Sequence, residues 1–217
     1  VCGSLKPEQL LMLSKQTTRR TLEPGSTLLS DSTEIKSYSN MLAGVVKLTK
    51  TLSDGRQQIV GLQFAPDLIG RPFKRESAID AEAATEVTIC SFPHSVLDKL
   101  VAQSPELEHL ILEQTLNELD EARQWMVTLG RKTAAEKVAS FLWLIATHID
   151  PDLDSKKGPR TFDLPLSRAD IADFLGLTIE TVSRQMTKLR KDGVIFIENN
   201  RHVTVQDIHR LEQRACL

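Results

Sequence analysis

Residues 166–193 read LSRADIADFLGLTIETVSRQMTKLRKDG, and their order predicts two short helices joined by a tight turn. Ser167 is placed to cap the first helix, with Asp170 three residues on to complete a capping box. Leu166 and Ile171 stand where a hydrophobic staple fixes the angle at which the chain enters a helix. Gly176 supplies a residue free to adopt the left-handed conformation in which helices end. Thr178 caps the second helix, and Leu177 with Val182 repeats the staple spacing. Val182, Met186 and Leu189 recur at helical intervals and form an apolar face turned to the first helix. Glu180, Ser183, Arg184, Thr187, Lys188 and Lys191 fall on the opposite face.

The chemistry of that second face suits the edges of DNA bases. An Arg fork matches the two acceptors of guanine in the major groove, a Glu carboxylate accepts from the cytosine amino group, and a Ser hydroxyl serves either way. Glu180, Ser183 and Arg184 sit within one turn at the N-terminal end of the helix, the end a helix-turn-helix presents to bases. Thr178, Thr187 and Lys188 flank them as further candidate contacts. Taken alone, this pattern fits an ordinary helical hairpin with a solvated face equally well. The next dozen residues favour DNA: Val194–Ile197, a polar turn Glu198-Asn199-Asn200-Arg201, and His202–Val205 form a short hairpin placed as the wing of a winged helix.

Working outward, residues 5–15 predict a short amphipathic helix, and from Thr17 to Phe92 the pattern changes to strands and turns. Tyr38–Leu42, Val45–Thr49 and Gln57–Phe64 are short strand-like runs broken at Gly44 and Asp54-Gly55. Ala83 to Phe92, ending VTICSF, closes the β region. Many short strands with regular turn signals imply an antiparallel sandwich or barrel of jelly-roll type. His94–Gln103 is a short helix, and Pro105 to about Gly130 a long one with Leu112, Leu116, Leu119, Ala122, Met126 and Leu129 at intervals of three and four. Roughly 25 residues make a helix of about 37 Å, longer than a small barrel needs, so this seam is expected to pair with a second copy. Arg131–Ala135 is the expected hinge, Thr133 and Glu136 cap a helix to about His148, residues 150–161 form a polar loop, and a last helix starts at Asp207. The expected organisation is therefore α+β, with a jelly-roll domain over 1–104, a dimerisation helix over 105–130 and a winged helix-turn-helix over 131–217.

Composition bounds the remaining classes. The chain has 217 residues, 41% of them hydrophobic and 26% charged, with a net charge of −2. That charge does not advertise nucleic-acid binding, but Arg184, Lys188, Arg190 and Lys191 concentrate positive charge locally. No apolar run approaches the roughly 20 residues that span a bilayer and there is no signal-peptide pattern, so a cytoplasmic protein without a membrane partner is expected. Three cysteines argue against a disulfide framework. An enzyme of the jelly-roll class would need a His/His/carboxylate set on its strands, and no histidine occurs between Val1 and Phe92. No phosphate-binding Gly-rich loop and no nucleophile with a base beside it is found, so enzyme activity is not expected.

Along essentially its full length the chain resembles the CRP/FNR family of bacterial transcription regulators, and within it the oxygen-responsive FNR group with its FnrL, FnrN and FixK types, and three stretches carry the resemblance. These are Glu180-Thr181-Val182-Ser183-Arg184, matching the E-x-x-S-R recognition motif; Asp54–Gly61 with Pro66–Gly70; and Leu129–Lys137 at the hinge. The resemblance implies a cyclic-nucleotide-binding-like jelly roll, a homodimer, RNA polymerase as partner, and Glu180, Ser183 and Arg184 reading a TTGAT half-site. Two-fold symmetry then requires an inverted repeat such as TTGAT-N4-ATCAA. The Arg71–Asp80 stretch is the candidate surface for polymerase.

The resemblance also implies a [4Fe–4S] cluster on four cysteine thiolates. Cys2 matches the last of the three N-terminal ligands and Cys90 the fourth, while Cys216 matches none. The chain begins at Val1 rather than Met, so either the other two ligands precede Val1 or this is a relative without the cluster. Ala122 stands where cluster-bearing relatives carry an acid in the dimer seam. The alternative is thus a regulator governed by another ligand, such as a cyclic nucleotide or haem, or by protein level. A cyclic nucleotide would need an Arg-Ser pair, yet here Glu76 follows Arg75 and would repel the phosphate. His94, His109 and His148 lie outside the predicted strands and offer no convincing haem ligand.

Overall fold

The computed structural model describes residues 11, 13–71, 74–149 and 158–217. The predicted helix at 5–15 falls mostly outside the described residues, as do Cys2, most of the 150–161 loop and part of the Arg71–Asp80 stretch. The chain divides into two compact units, residues 1–56 with 60–123, and residues 57–59 with 124–217.

The first unit is built of β1 (Thr18–Leu22), β2 (Thr27–Leu29), β3 (Ser37–Ala43), β4 (Val45–Thr51), β5 (Gln57–Phe64), β6 (Leu68–Ile69), β7 (Asp80–Ala83) and β8 (Val87–Pro93). They form two four-stranded sheets, ordered β1-β8-β3-β6 and β2-β7-β4-β5. Register is set by alternation. Met41, Ile69, Val87 and Ile89 of the first sheet meet Val46, Ala81 and Ala83 of the second in a buried core. The other face of the first sheet is buried too: Tyr38, Leu68 and Phe92 pack with Val96, Leu97 and Leu100 of α1 (His94–Gln103) and Leu107 and Ile111 of α2 (Pro105–Arg131).

One strand differs from expectation. Ala83–Phe92 is not a single run: β7 ends at Ala83, and the chain turns before β8 begins at Val87. The turn is held by Val45, whose carbonyl accepts from Ala84 N–H at 2.9 Å and whose N–H donates to Thr85 Oγ1 at 3.0 Å. Gly44, at φ +94°, lets the β3–β4 turn pass so close that a Cβ would lie 2.3 Å from the Glu86 carbonyl oxygen.

The second unit takes the last turns of α2, then α3 (Ala134–His148), β9 (Arg160–Asp163), α4 (Arg168–Leu175), α5 (Ile179–Lys191), β10 (Ile195–Glu198), β11 (His202–Val205) and α6 (Ile208–Ala215). β9 corrects the expected loop, whose range runs through residue 161: Arg160–Asp163 pairs antiparallel with β11, giving the sheet β10-β11-β9. Its signal is weak because four residues beside Gly158-Pro159 carry too little alternation, and the pairing partner lies some forty residues away.

Candidate nucleic-acid interface

The two helices of the turn are closed at each end by side chains. Asp170 N–H donates to Ser167 Oγ at 3.1 Å, and Ser167 N–H donates to Asp170 Oδ2 at 3.2 Å, a complete capping box. Leu166 and Ile171 are both buried beside it. Gly176 ends α4 at φ 60°, ψ 45°, a left-handed geometry that a side chain would strain. Thr178 caps α5, its Oγ1 accepting from Thr181 N–H at 3.2 Å. Val182, Met186 and Leu189 are buried, as are Ile171, Ala172, Phe174 and Leu175 of α4. Below them Phe174 meets Trp125, with ring centroids 4.5 Å apart, and Phe141 at 6.0 Å. An aromatic cluster thus seats the helix-turn-helix on the last turns of α2 and on α3.

That packing leaves the other face of α5 in solvent. Glu180, Ser183, Arg184, Lys188 and Lys191 are exposed and Thr187 half-buried. Ser183, Arg184, Thr187, Lys188, Lys191 and Asp192 line one open groove of about 430 Å³. Arg184, Lys188 and Lys191 have no carboxylate partner among the described residues, so their charges face outward uncompensated. Glu180 is held below the usual carboxylate range by a backbone hydrogen bond from its own amide, then by the Thr178 hydroxyl, and is ionised at neutral pH. Two predicted contacts are already engaged. Thr178 Oγ1 accepts from Thr181 N–H and lies 3.1 Å from Thr181 Oγ1, so its single proton serves either that oxygen or the Glu180 carboxylate, and the Thr187 hydroxyl donates to the Ser183 carbonyl at 2.9 Å. The arrangement offers an acceptor, a hydroxyl and a guanidinium fork on the first turns of one exposed helix, with amines behind them.

The wing lies beside it. β10 and β11 pair from Ile195↔Val205 to Glu198↔His202, and Asn199 and Asn200 turn the corner at φ 50° and 57°. Where α2 gives way to α3, the Thr133–Glu136 capping box forms as expected, with Thr133 N–H donating to Glu136 Oε2 at 2.7 Å. Sequence reasoning does not find Lys132, whose ammonium donates to Ser140 Oγ at 2.9 Å and to the Ala215 carbonyl at 2.6 Å. No local pattern marks such a contact, because its acceptor is a backbone carbonyl eighty-three residues away.

The expected seam of α2 is in solvent. Leu112, Leu116, Leu119 and Met126 are 54%, 51%, 43% and 72% exposed, and Ala122 and Leu129 are exposed with them. Val127, absent from the predicted seam because it is adjacent to Met126 rather than a turn away, joins them.

Of the expected cluster ligands, Cys90 is half-buried on β8, opposite Arg19 of β1 and Asn40 of β3. Cys216 belongs to the other unit, where its thiol donates to Glu136 Oε1 at 3.2 Å, a bond that pushes its pKa up. Among the described residues no group of three or more His, Cys, Asp or Glu is placed to hold a metal. The single half-buried thiol of Cys90 does not by itself build a cluster site. Near the expected nucleotide position, Ser77 Oγ donates to the Ile79 carbonyl at 2.6 Å, and the backbone of Glu76 pairs with that of Glu34 in an isolated bridge. No described helix is long and apolar enough to cross a membrane.

A two-sheet domain carrying a long helix and a winged helix-turn-helix defines a class of DNA-binding regulators with an attached sensor domain. Comparison with known proteins agrees. Residues 136–214 match the Crp-like helix-turn-helix domain and residues 19–104 the cyclic nucleotide-binding domain. The chain is 57% identical over 98% of its length to a Rhizobium leguminosarum bv. viciae protein described as "Probable transcriptional activator", covering 88% of it. It is 42% identical to the transcriptional activator protein FnrL of Cereibacter sphaeroides, over 99% of this chain and 87% of that one. The structure of FixK2 from Bradyrhizobium japonicum superposes with a TM-score of 0.80 at 30% identity, covering 91% of this chain and 96% of that one. The chain belongs to the CRP/FNR family and is a DNA-binding transcriptional activator of the FNR/FixK type, not an enzyme.

Proposed function

We propose that the protein is a homodimeric activator of oxygen-limitation genes that reads an inverted repeat of the TTGAT-N4-ATCAA kind. The observation that carries this is the exposed Glu180, Ser183 and Arg184 on the first turns of α5, with the Arg184 guanidinium unpaired among the described residues. Arg184 would take the guanine of the half-site through its fork, Glu180 the cytosine amino group, and Ser183 a neighbouring base. Thr178, Thr187 and Lys188 flank them, Lys188 as a phosphate contact. The exposed Leu112, Leu116, Leu119, Ala122, Met126 and Leu129 support pairing of α2 with a second copy. Such pairing sets the distance between recognition helices and so the half-site spacing. The protein acts in the cytoplasm on promoters bound by RNA polymerase.

Oxygen control is supported by resemblance to the FNR group, and Cys2 and Cys90 are proposed as two of four ligands of a [4Fe–4S] cluster. When bound, such a group supplies oxygen-labile iron–thiolate chemistry. The base contacts themselves are made by the side chains of α5 and not by that group. A cluster-free regulator is favoured by one residue: Ala122 leaves the exposed seam without the acid whose repulsion would keep copies apart. Fluorescence anisotropy on a TTGAT-N4-ATCAA duplex, with protein purified without oxygen and assayed for iron and acid-labile sulfide, decides between them. Binding lost in air together with the chromophore, and absent in Cys90→Ser, establishes the cluster. Tight binding indifferent to air removes it and keeps the regulator. No preference for this duplex over a scrambled one removes the site assignment.

A further inference from the structure

The first residue of α4 is a cation at the end of a helix where the backbone dipole disfavours one. Burial also works against the charge of Arg168, and it has no carboxylate partner among the described residues. What it does have is the wing: Arg168 Nη2 donates to the carbonyl of Asn200 at 3.2 Å. One residue further along the turn, the Arg201 carbonyl accepts from Leu164 N–H at 2.9 Å. The tip of the wing is thus tied at two successive carbonyls to the segment that leads into the helix-turn-helix. The tip itself is a tight turn with both asparagines in the left-handed region and Arg201 N–H donating to the Glu198 carbonyl at 3.1 Å. Arg201, exposed and without an ion-pair partner among the described residues, is the single Lys or Arg between Ile195 and Val205.

We infer that Arg168 is a positioning residue that holds the wing tip so that Arg201 meets a phosphate of bound DNA. The inference rests on the DNA-binding reading above and deepens it. Without this bond the tip keeps only the Leu164 tie to the segment before α4, and a less fixed Arg contributes less to binding because its ordering has to be met on association. The Arg168 fork fixes the turn before DNA arrives. The contact is to the backbone, so it adds affinity equally at every sequence and carries no base discrimination.

The test is a double-mutant cycle read through the salt dependence of DNA binding, on the inverted-repeat duplex and on a random duplex. Each phosphate contact contributes about −0.9 to the slope of log K against log salt, so Arg201→Ala should flatten the slope of a dimer by about two. If Arg168 acts through Arg201, Arg168→Ala flattens it equally, the double variant goes no further, and the amide of Arg201 exchanges faster in the free variant. A double variant flattened by about four means that Arg168 touches phosphate itself, which overturns the positioning role. Unchanged slopes in both single variants overturn the wing contact altogether. Arg168→Gln, which retains a smaller donor, runs the same cycle should Arg168→Ala fail to fold. Wild-type protein that binds neither duplex would count against the DNA reading; binding with either contrary slope pattern counts against this inference alone.

Discussion

The long helix α2 and the recognition helix α5 both turn large side chains to water, with opposite chemistry. On α2 the solvent face is apolar, with Leu112, Leu116, Leu119 and Met126 each more than 40% exposed. On α5 it carries Glu180, Ser183, Arg184, Lys188 and Lys191, while Val182, Met186 and Leu189 are buried. An apolar stripe gains free energy wherever another apolar surface removes it from water, so it specifies contact but little direction. A row of unpaired donors and acceptors gains only where a partner matches it atom by atom, so it specifies a lattice of charges and edges. In the proposed dimer the first helix therefore selects a copy of itself, while the other selects a nucleic acid. The proposal couples the two, because the symmetry of a paired α2 would set the spacing of the recognition helices.

The largest expected effect comes from breaking the apolar side of that contrast. Leu116→Glu should leave the monomer folded, since the side chain is half in solvent. In a dimer it buries a charge without a partner, at about 3–5 kcal/mol. Sedimentation should show monomers, and affinity for the inverted repeat should fall by about 100-fold or more. Next comes the polar side: Arg184→Ala should cost roughly 1–3 kcal/mol and relax discrimination at one base pair. Lys188→Ala should weaken all sequences alike and flatten the salt slope by about one per contact.

Smaller effects test the frame that carries the two helices. Thr133→Ala removes the N-cap of α3 and should lower stability by about 1 kcal/mol in urea titrations. The partner carboxyl of Glu136 is held low chiefly by the Thr133 backbone N–H. Its contribution is present above the ordinary carboxylate value of 4.5 and lost as pH falls through the lowered one, so wild type and Glu136→Ala should converge in acid. The smallest effect runs the other way. Glu118 on α2 is raised first by loss of solvation, then by Asp67 and Glu121, so its ionised form is disfavoured in the folded protein. Glu118→Gln should raise the melting temperature slightly at pH 7, and the gain should vanish as pH drops below 4.5 and Glu118 takes up its proton.

The winged helix is legible almost residue by residue, because its determinants are local: Ser167 and Asp170, Gly176, Thr178, and the apolar interval of α5 all lie within thirty residues. The β region is legible as a class and less so in its joints. The turn between β7 and β8 is held by Val45, forty residues distant, and β9 exists only through its pairing with β11. Distance also hides the bonds from Lys132 to the Ala215 carbonyl and from Arg168 to the Asn200 carbonyl, because a backbone acceptor has no side-chain signature. The α2 seam is marked by periodicity, but the periodicity of Leu112 to Leu129 cannot separate a covered face from a free one.

The most direct test of the account is the ratio of affinities for the inverted repeat and for a scrambled duplex, in wild type and in Arg184→Ala. The wild-type ratio should be about 10³ or more at physiological salt and fall by about 5- to 150-fold in the variant, while scrambled binding changes little. A wild-type ratio near one, or a variant that keeps the full ratio, would contradict it.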